Sequence, residues 1–422
     1  MKGTAAALLG LGVFSLTVVL AAQQQIPQLP APAPAKPNFG TVVPKPANAQ
    51  LKAPQGFTVD TYAENVPNAR IMEWAPNGDL FVAQSEANIV SVFRDTNKDG
   101  RPDSRSVYSQ GPMKGCGSFG APARGAATAA PPNPELNCPF GLAFHDGYLY
   151  VGNTDGVIRY KYTNGDMKAG AAGQKILTVP GGENHWTRNV LFSRDGRKMY
   201  VSVGSANNID DTGRGNDNRA AIHEYNPDGT GFRLFATGIR NPVGLALQPT
   251  TNTLWTAVNE RDNLGDELVP DYATSVKDGG FYGWPYSYIG NHVDTRVPNQ
   301  KPELVAKAIV PDILIPAHSA ALGLTFYTGT QFPQRYRNGL FVALHGSWNR
   351  STAQGYKVIF VPFANNKPSG PIEDFLTGFV VDPAAVSKWG RPVGVIVAAD
   401  GSLLVSDDAS GTIWRVRASA AR

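Results

Sequence analysis

Short apolar runs joined by glycine-containing polar turns recur along this chain, and they give the first expectation about its fold. In each copy an apolar run leads into an Asp-Gly or Asn-Gly turn or a related polar turn, and a second apolar run of the Leu-Tyr-Val type follows. This pattern is typical of a β-hairpin. The copies lie at residues 74–82, 142–151, 191–201, 245–255, 324–342 and 395–405.

Each copy is followed by another strand-like segment, for example residues 88–93, 156–160 and 411–416. No convincing amphipathic helix separates the copies. Six repeats of this kind predict an all-β protein, a six-bladed β-propeller. The early segment 57–62 is then expected to pair with residues 413–416, so that the last blade is completed and the ring has no open edge.

Composition agrees with this expectation and excludes some functions. A chain of 422 residues is long enough for two or three domains, but a repeat architecture predicts one, over residues 55–418. The 45 glycines, the 33 prolines and the low charged fraction of 17% favour a turn-rich β protein. A net charge of +4 without a long Lys/Arg run gives no indication of a nucleic-acid partner.

The N-terminal residues indicate export. One early positive charge at Lys2, an apolar stretch and the small pair Ala21-Ala22 predict a signal peptide over residues 1–22. A transmembrane anchor is the alternative, and the short apolar length makes it the weaker one. Residues 23–54 are rich in Pro, Ala and Gln and predict an extended linker. We therefore expect a periplasmic or secreted protein without a stable membrane anchor.

The chain has two cysteines, Cys116 and Cys138, on either side of a Gly/Pro/Ala-rich stretch. Two thiols are too few for a structural zinc site, and in an exported protein an even pair predicts a disulfide.

Polar residues that a buried strand would not tolerate occupy several loops between the repeats. They include His185, whose imidazole is suited to removing a proton near neutral pH. Loops at equivalent positions of a propeller meet around its axis, so these residues predict one funnel for an anionic ligand. The alternatives are a loop hydrogen bond for His185 and ion pairs between blades for the arginines. The loops are 184–185, 240–242, 345–350 and 390–394.

Five segments together resemble the soluble glucose and sorbosone dehydrogenases that depend on pyrroloquinoline quinone (PQQ), with the sorbosone dehydrogenase-like branch the more similar. The resemblance covers residues 56–416. It rests on the order and spacing of His185-Trp186-Thr187-Arg188-Asn189, residues 238–245 and 265–267, the Gly-Gly-Phe-Tyr-Gly-Trp-Pro stretch 279–285, and the His-Gly-Ser-Trp-Asn-Arg stretch 345–350.

The resemblance implies roles for individual residues. His185 falls on the general base, which removes the substrate hydroxyl proton as hydride leaves for the C5 carbonyl of the quinone. Asn184 falls on a neighbour that is acidic in the family. Arg240 and Asn241 match the pair that binds the quinone near its reactive carbonyl. The family's calcium-binding turn, which uses backbone carbonyls, falls on Glu260, Arg261 and Asp262.

Carboxylate binding departs from the family pattern. His345 falls where glucose dehydrogenase has a lysine, Arg391 falls on the first of its two arginines, and Val393 occupies the place of the second. The resemblance therefore implies a rebuilt set of cofactor ligands that includes Arg350.

A second calcium candidate is the loop 95–103, in which oxygen-bearing residues alternate before Gly100. Its position 12 is Ser106 rather than the bidentate Glu of an EF-hand, and an ordinary blade turn is the favoured interpretation.

Three functions stay open at this point. The first is an exported, calcium-containing PQQ dehydrogenase that oxidises a sugar or a sugar-derived aldehyde and passes electrons to a separate acceptor, a cytochrome or a quinone, since no Cys-x-x-Cys-His haem motif is present. The second is a calcium-dependent hydrolase of the lactonase type. The third is a non-catalytic carbohydrate-binding propeller.

Overall fold

The fold is a ring of six antiparallel β-sheets around a central axis. The computed structural model describes residues 25–112, 116, 135–181, 184–210 and 218–419. Four strands form each sheet except that of blade 3, which has five, and the first strand of each repeat is the innermost. The predicted six-bladed β-propeller is confirmed.

The strands follow the sequence repeats. Blade 1 has Ala69–Trp74, Leu80–Gln84, Ile89–Arg94 and Ser104–Gln110; blade 2 has Leu142–His145, Tyr148–Asn153, Gly156–Lys161 and Gln174–Thr178; blade 3 has Val190–Phe192, Met199–Val203, Ala221–Tyr225, Arg233–Thr237 and the added parallel strand Gly280–Phe281. Blade 4 has Pro242–Leu247, Leu254–Val258, Asp271–Ser275 and Ile313–Ile315; blade 5 has Ala321–Phe326, Leu340–Leu344, Lys357–Val361 and Glu373–Leu376; blade 6 has Pro392–Val397, Leu403–Asp407, Thr412–Ala418 and Phe57–Ala63.

Small elements decorate the ring. They are the hairpins Ser287–Tyr288/His292–Val293, Phe363–Ala364/Lys367–Pro368 and Val380–Asp382/Ser387–Lys388, the one-turn helix Pro302–Val305 and the 3₁₀ turn Gln334–Tyr336.

The ring closes through its N-terminal strand. Phe57–Ala63 pairs antiparallel with Thr412–Ala418, and Val59 lies opposite Val416. Phe57 packs edge-on against Phe332 and Phe375, with ring centroids 4.7 and 5.2 Å apart. Because those two rings belong to blade 5, the closing strand joins blades 5 and 6 as well as completing the last sheet.

An apolar plug closes the axis near one face. It consists of Phe140, Val243, Leu322 and Val393, all buried, which lie at or just before the start of an innermost strand. A cavity of about 320 Å³, lined by residues further along the same strands, lies beyond the plug. The plug therefore separates this cavity from the face at which the innermost strands begin, which we call the site face.

Residues 25–54 lie against the propeller. The Ala33 amide donates to the carbonyl of Leu264, Leu29 packs on the apolar core between blades 3 and 4, and Lys52 forms a bridge with Thr377. The predicted signal peptide over residues 1–22 lies outside the described residues.

Cys116 and Cys138 form the predicted disulfide. The side chain of Asn88 holds the ends of the same loop, because it donates to the carbonyls of Pro112 and Leu136 and accepts from the Cys138 amide. Within the described ranges, no helix has the length and apolar character that a membrane crossing requires.

Candidate active site

His185 lies in the segment that leads into the first strand of blade 3. Its Nδ1 is 2.8 Å from the carbonyl oxygen and 2.9 Å from the hydroxyl oxygen of Ser205, which follows the second strand of that blade. A carbonyl oxygen can only accept a hydrogen bond, so this contact assigns the proton to Nδ1. The lone pair then lies on Nε2, and the Ser205 hydroxyl donates its own proton to the carbonyl of Asn207.

The surroundings of His185 keep it neutral. Burial and the nearby Arg240 guanidinium lower the pKa of His185 well below the ordinary 6.5. The hydrogen bond with Ser205 raises the pKa, but by less than the other two effects lower it. A half-buried imidazole whose Nε2 carries its lone pair at pH 7 is suited to accept a proton.

Arg240 and Asn241 lie beside His185, immediately before the first strand of blade 4. The buried Arg240 donates to the carbonyl of Glu260 at 2.6 Å and to the side-chain oxygen of Asn208 at 2.8 Å. The Asn241 side-chain oxygen is also buried, and it has no hydrogen-bond partner in the part of the chain that is described. An orphaned buried oxygen indicates that a bound group completes this site.

Gly204 allows these side chains to meet. A Cβ atom at this position would lie 2.4 Å from the Asn241 side-chain oxygen and 2.5 Å from Cβ of His185. Any larger residue would push His185 and Asn241 apart, so the glycine is required by close approach.

A second group lies across the axis, on blades 5 and 6. His345 Nε2 is 3.0 Å from both carboxylate oxygens of Asp408, and Arg391 donates to His345 Nδ1 at 2.8 Å. The proton is thus assigned to Nε2 of His345. Burial and Arg391 lower the pKa of His345 to about 4, so its imidazole is neutral and holds Arg391 in place.

Arg70 connects the two groups. Its guanidinium is 3.0 Å from Asp408 and lies 5.4 Å above the ring of Trp186, the neighbour of His185. Arg70 and Asp408 were not predicted from the sequence, because neither stands in a distinctive motif. Their blade positions, the start of a first strand and the end of a second, were the available signal.

The predicted calcium turn lies under Arg240. The carbonyls of Asn259 and Glu260 both accept from Nη1 of Arg240, at 3.2 and 2.6 Å. The side chain of Arg261 is fully buried behind the turn, with Glu260 at 3.0 Å and Asp294 at 3.1 Å. Arg261 can therefore offer the pocket only backbone atoms.

Asp262 is the residue of this turn whose carboxylate faces the site. It lies 3.3 Å from Arg240 and 3.4 Å from the buried His318, which sequence reasoning did not single out. Across the described ranges, no three His, Cys, Asp or Glu side chains form a group able to hold a metal ion. Any metal at this turn would therefore depend mainly on backbone oxygens, with Asp262 as the carboxylate that faces the site.

Arg350 and Asn184 do not join the two groups. Arg350 donates to the carbonyl of Asp266 and, at 2.6 Å, to the carboxylate of Glu267, which holds it at the rim. Asn184 is exposed.

The site therefore has three arginines and two carboxylates around a neutral imidazole. The site carries three positive charges, on Arg70, Arg240 and Arg391, and two negative charges, on Asp262 and Asp408. The net positive charge favours an anionic ligand. Fold and site together define a β-propeller with an axial, arginine-lined pocket and one candidate base.

This chain belongs to the TrAA12-like family. The family model matches residues 51–277 and 297–419, which include the four main strands of all six blades and leave out the added strand Gly280–Phe281 of blade 3.

The relatives include named sugar dehydrogenases. An uncharacterised protein of Borreliella burgdorferi is 27% identical over 89% of this chain and 93% of its own length. A PQQ-dependent pyranose dehydrogenase of Coprinopsis cinerea is 29% identical over 55% of this chain, and an aldose sugar dehydrogenase of Escherichia coli is 31% identical over 38%. These two matches span 39% and 44% of the length of those enzymes.

Solved structures agree on the fold. The holo form of the Coprinopsis cinerea pyranose dehydrogenase PQQ domain has a TM-score of 0.70 at 23% identity, with 89% of this chain and 98% of that one covered. A calcium structure of a Trichoderma reesei family AA12 enzyme has a TM-score of 0.70 at 19% identity, with 94% and 99% covered. The resemblance to PQQ sugar dehydrogenases is confirmed, while the sorbosone branch stays a prediction.

Proposed function

We propose that this protein is a PQQ-dependent sugar dehydrogenase that uses His185 as its general base. The observation that carries the proposal is the lone pair of a neutral His185 beside Arg240 and the orphaned oxygen of Asn241. Membership of the TrAA12-like family and the names of the relatives support it.

The residues present fit PQQ. This cofactor is an aromatic quinone with three carboxylates, and the site offers Arg70, Arg240 and Arg391 on opposite sides of the axis. Arg391 and Arg70 would bind carboxylates, and Arg240 with Asn241 would lie at the quinone oxygens. When bound, PQQ supplies the hydride acceptor.

The turn at Asn259–Glu260 fits calcium by the nature of its donors. The carbonyl oxygens of Asn259 and Glu260 converge there on the positively charged guanidinium of Arg240, and oxygen is the donor that calcium prefers. These carbonyls and Asp262 would hold the ion, which supplies a Lewis acid to the reacting carbonyl.

His185 performs the proton transfer in this proposal. Its Nε2 accepts the proton of a sugar hydroxyl as hydride leaves the carbon that bears it, so the substrate loses two electrons and two hydrogens. Ser205 keeps Nδ1 protonated and the ring in one orientation. The substrate is then an aldose or a sorbosone-type aldehyde hydrate.

Export and electron transfer complete the proposal. The N-terminal sequence supports a periplasmic or secreted location, and a separate acceptor, a cytochrome or a quinone, takes the electrons. No observation favours the lactonase alternative, because such a site needs several carboxylates on one metal and the described residues do not supply them.

Reconstitution tests the proposal. Purified protein should stay inactive until PQQ and calcium are both added, and then reduce an artificial dye with glucose, other aldoses or sorbosone. Addition of magnesium in place of calcium is the matched control. Dye reduction by protein shown to be free of PQQ would contradict the proposed function, and full activity in metal-free protein would contradict the role of calcium.

A further inference from the structure

Two aromatic rings stand exposed at the rim of the pocket. Phe39 is 60% exposed and Trp348 is 38% exposed, and their rings stack at 5.3 Å between centroids with 17° between planes. Since each ring covers part of one face of the other, the exposed surface belongs to the outer faces and edges. We call this pair the aromatic platform.

Hydrogen bonds fix the platform in place. The Asn38 amide donates to the carbonyl of Trp348 at 2.7 Å, and its side chain donates to the carbonyls of Ser351 and Ala384 at 3.2 and 3.0 Å. Lys388 donates to the carbonyl of Phe39 at 2.8 Å. Four hydrogen bonds thus hold two apolar rings in a position where they stay exposed to water. Packing in a core does not explain this position, because the rings are not buried.

The platform is continuous with the active site. Trp348 is followed by Asn349, whose side chain exchanges two hydrogen bonds of 3.0 Å with Asn263. Asn263 follows Asp262 of the pocket wall, and the loop that carries Trp348 begins at His345. The platform therefore lies beside the route by which a substrate approaches His185.

Phe39 comes from outside the family match, which begins at residue 51. The segment 25–54 crosses the loops of the site face and delivers this ring to a tryptophan of blade 5. The platform is therefore a feature that the propeller acquires from its N-terminal segment.

We propose that the aromatic platform is a carbohydrate subsite that binds the non-reacting units of a neutral oligosaccharide whose end enters the pocket. This inference rests on the proposed function. The apolar C–H face of a pyranose ring packs on an aromatic face, and rigid aromatic side chains bind at a small entropic cost. The substrate class that follows is oligosaccharides rather than free monosaccharides.

Binding and kinetics together test this subsite. Affinity for glucose, cello-oligosaccharides and malto-oligosaccharides is measured by calorimetry on the protein without added cofactor, and KM is measured on the reconstituted protein. The variants are Phe39→Ala and Trp348→Ala. The control is Phe232→Ala, another exposed ring, 47% exposed, which packs on Tyr225 of blade 3.

We expect both platform variants to weaken oligosaccharide binding and to raise its KM by roughly 3- to 10-fold, with glucose changed less than 2-fold. Equal effects on glucose and oligosaccharide, or no effect on either, would overturn the subsite. So would an unchanged oligosaccharide affinity together with slower electron transfer to a protein acceptor, which would assign the platform to protein docking.

The two proposals fail separately. Platform-dependent oligosaccharide binding without PQQ-dependent oxidation would leave the subsite standing and contradict the dehydrogenase. PQQ-dependent oxidation that does not change in the platform variants would support the dehydrogenase and contradict the subsite. Thermal unfolding of each variant shows whether the fold is retained.

Discussion

At the residue scale, the proposed chemistry depends on which nitrogen of His185 carries the proton. Ser205 fixes that proton on Nδ1, and Gly204 lets the ring approach Asn241. One serine and one glycine, neither part of a catalytic motif, thus place the lone pair on Nε2 and set the position of the ring beside Asn241.

Two substitutions should separate proton transfer from cofactor binding. His185→Ala should leave PQQ bound and slow the chemical step by about 10²–10⁴-fold, the usual contribution of a general base. Arg240→Ala should instead weaken PQQ binding by about 2–5 kcal/mol, because it removes a buried, charged hydrogen-bond donor that would contact the quinone oxygens. Titration with PQQ and single-turnover rates distinguish the two.

His292→Ala is the matched control for the loss of a histidine, because its ring stacks on Tyr288 in a peripheral hairpin. A His185→Ala protein that regains full activity with excess PQQ would show that His185 binds the cofactor and is not the base.

The pH profile follows from the lowered pKa of His185. As the proposed base, His185 must be neutral to act, so kcat/KM should stay on its plateau as the pH falls through 6.5 and decline only at lower pH. Burial, the main cause of the shift, persists when an anion binds. Rates between pH 4 and 9 test this, and an acidic limb centred at or above 6.5 would contradict it.

At the scale of elements, the closing strand is stabilised by its side chains as well as by its ladder. Phe57→Ala should lower the free energy of unfolding by about 2–4 kcal/mol, because it removes a ring from the aromatic cluster of blade 5. Thr58→Ala, exposed on the same strand, is the control. Urea unfolding measures both, and equal effects would contradict the argument.

The disulfide is expected to stabilise the loop between blades 1 and 2. Cys116 and Cys138 are 22 residues apart, and replacing both by serine should cost about 2–4 kcal/mol of the free energy of unfolding. The fold should survive, because Asn88 holds the same loop ends. Unchanged urea unfolding would show that Asn88 alone suffices.

The blades could be predicted from the sequence because each blade is encoded locally, by apolar runs and the polar turns that join them. The predicted copy at 191–201 spans Val190–Phe192 and Met199–Val203 almost residue for residue. The contact of residues 25–54 with the propeller could not be predicted, because this segment has no apolar alternation. Several of its contacts are backbone hydrogen bonds such as Ala33 to Leu264, which any sequence can make, and the side chains that do make contact, Leu29, Asn38 and Phe39, stand singly in the sequence.

The site was predicted to the extent that its residues stand in motifs. His185, Arg240 and Arg391 were identified from sequence, and they lie on the site face. Arg70 and Asp408 form an ion pair between residues far apart in the chain, and apart from their blade positions a single sequence gives no sign of such a pairing.

At the scale of the whole molecule, the ring turns six separate loops into one surface. Each innermost strand begins on the site face and each second strand ends there, so residues from both ends of the chain meet at one pocket. The N-terminal segment adds Phe39 to this surface from outside the ring.

The apolar plug on the axis has a kinetic consequence. Because Phe140, Val243, Leu322 and Val393 close the axis, the site formed by the described residues is open towards the site face and closed towards the opposite one. In the proposed dehydrogenase, sugar and electron acceptor would then have to bind one after the other, and the oxidised product would leave before the acceptor enters. Steady-state rates over a grid of both concentrations should give parallel double-reciprocal lines, the mark of a ping-pong enzyme, and intersecting lines would mean that both reactants fit at once.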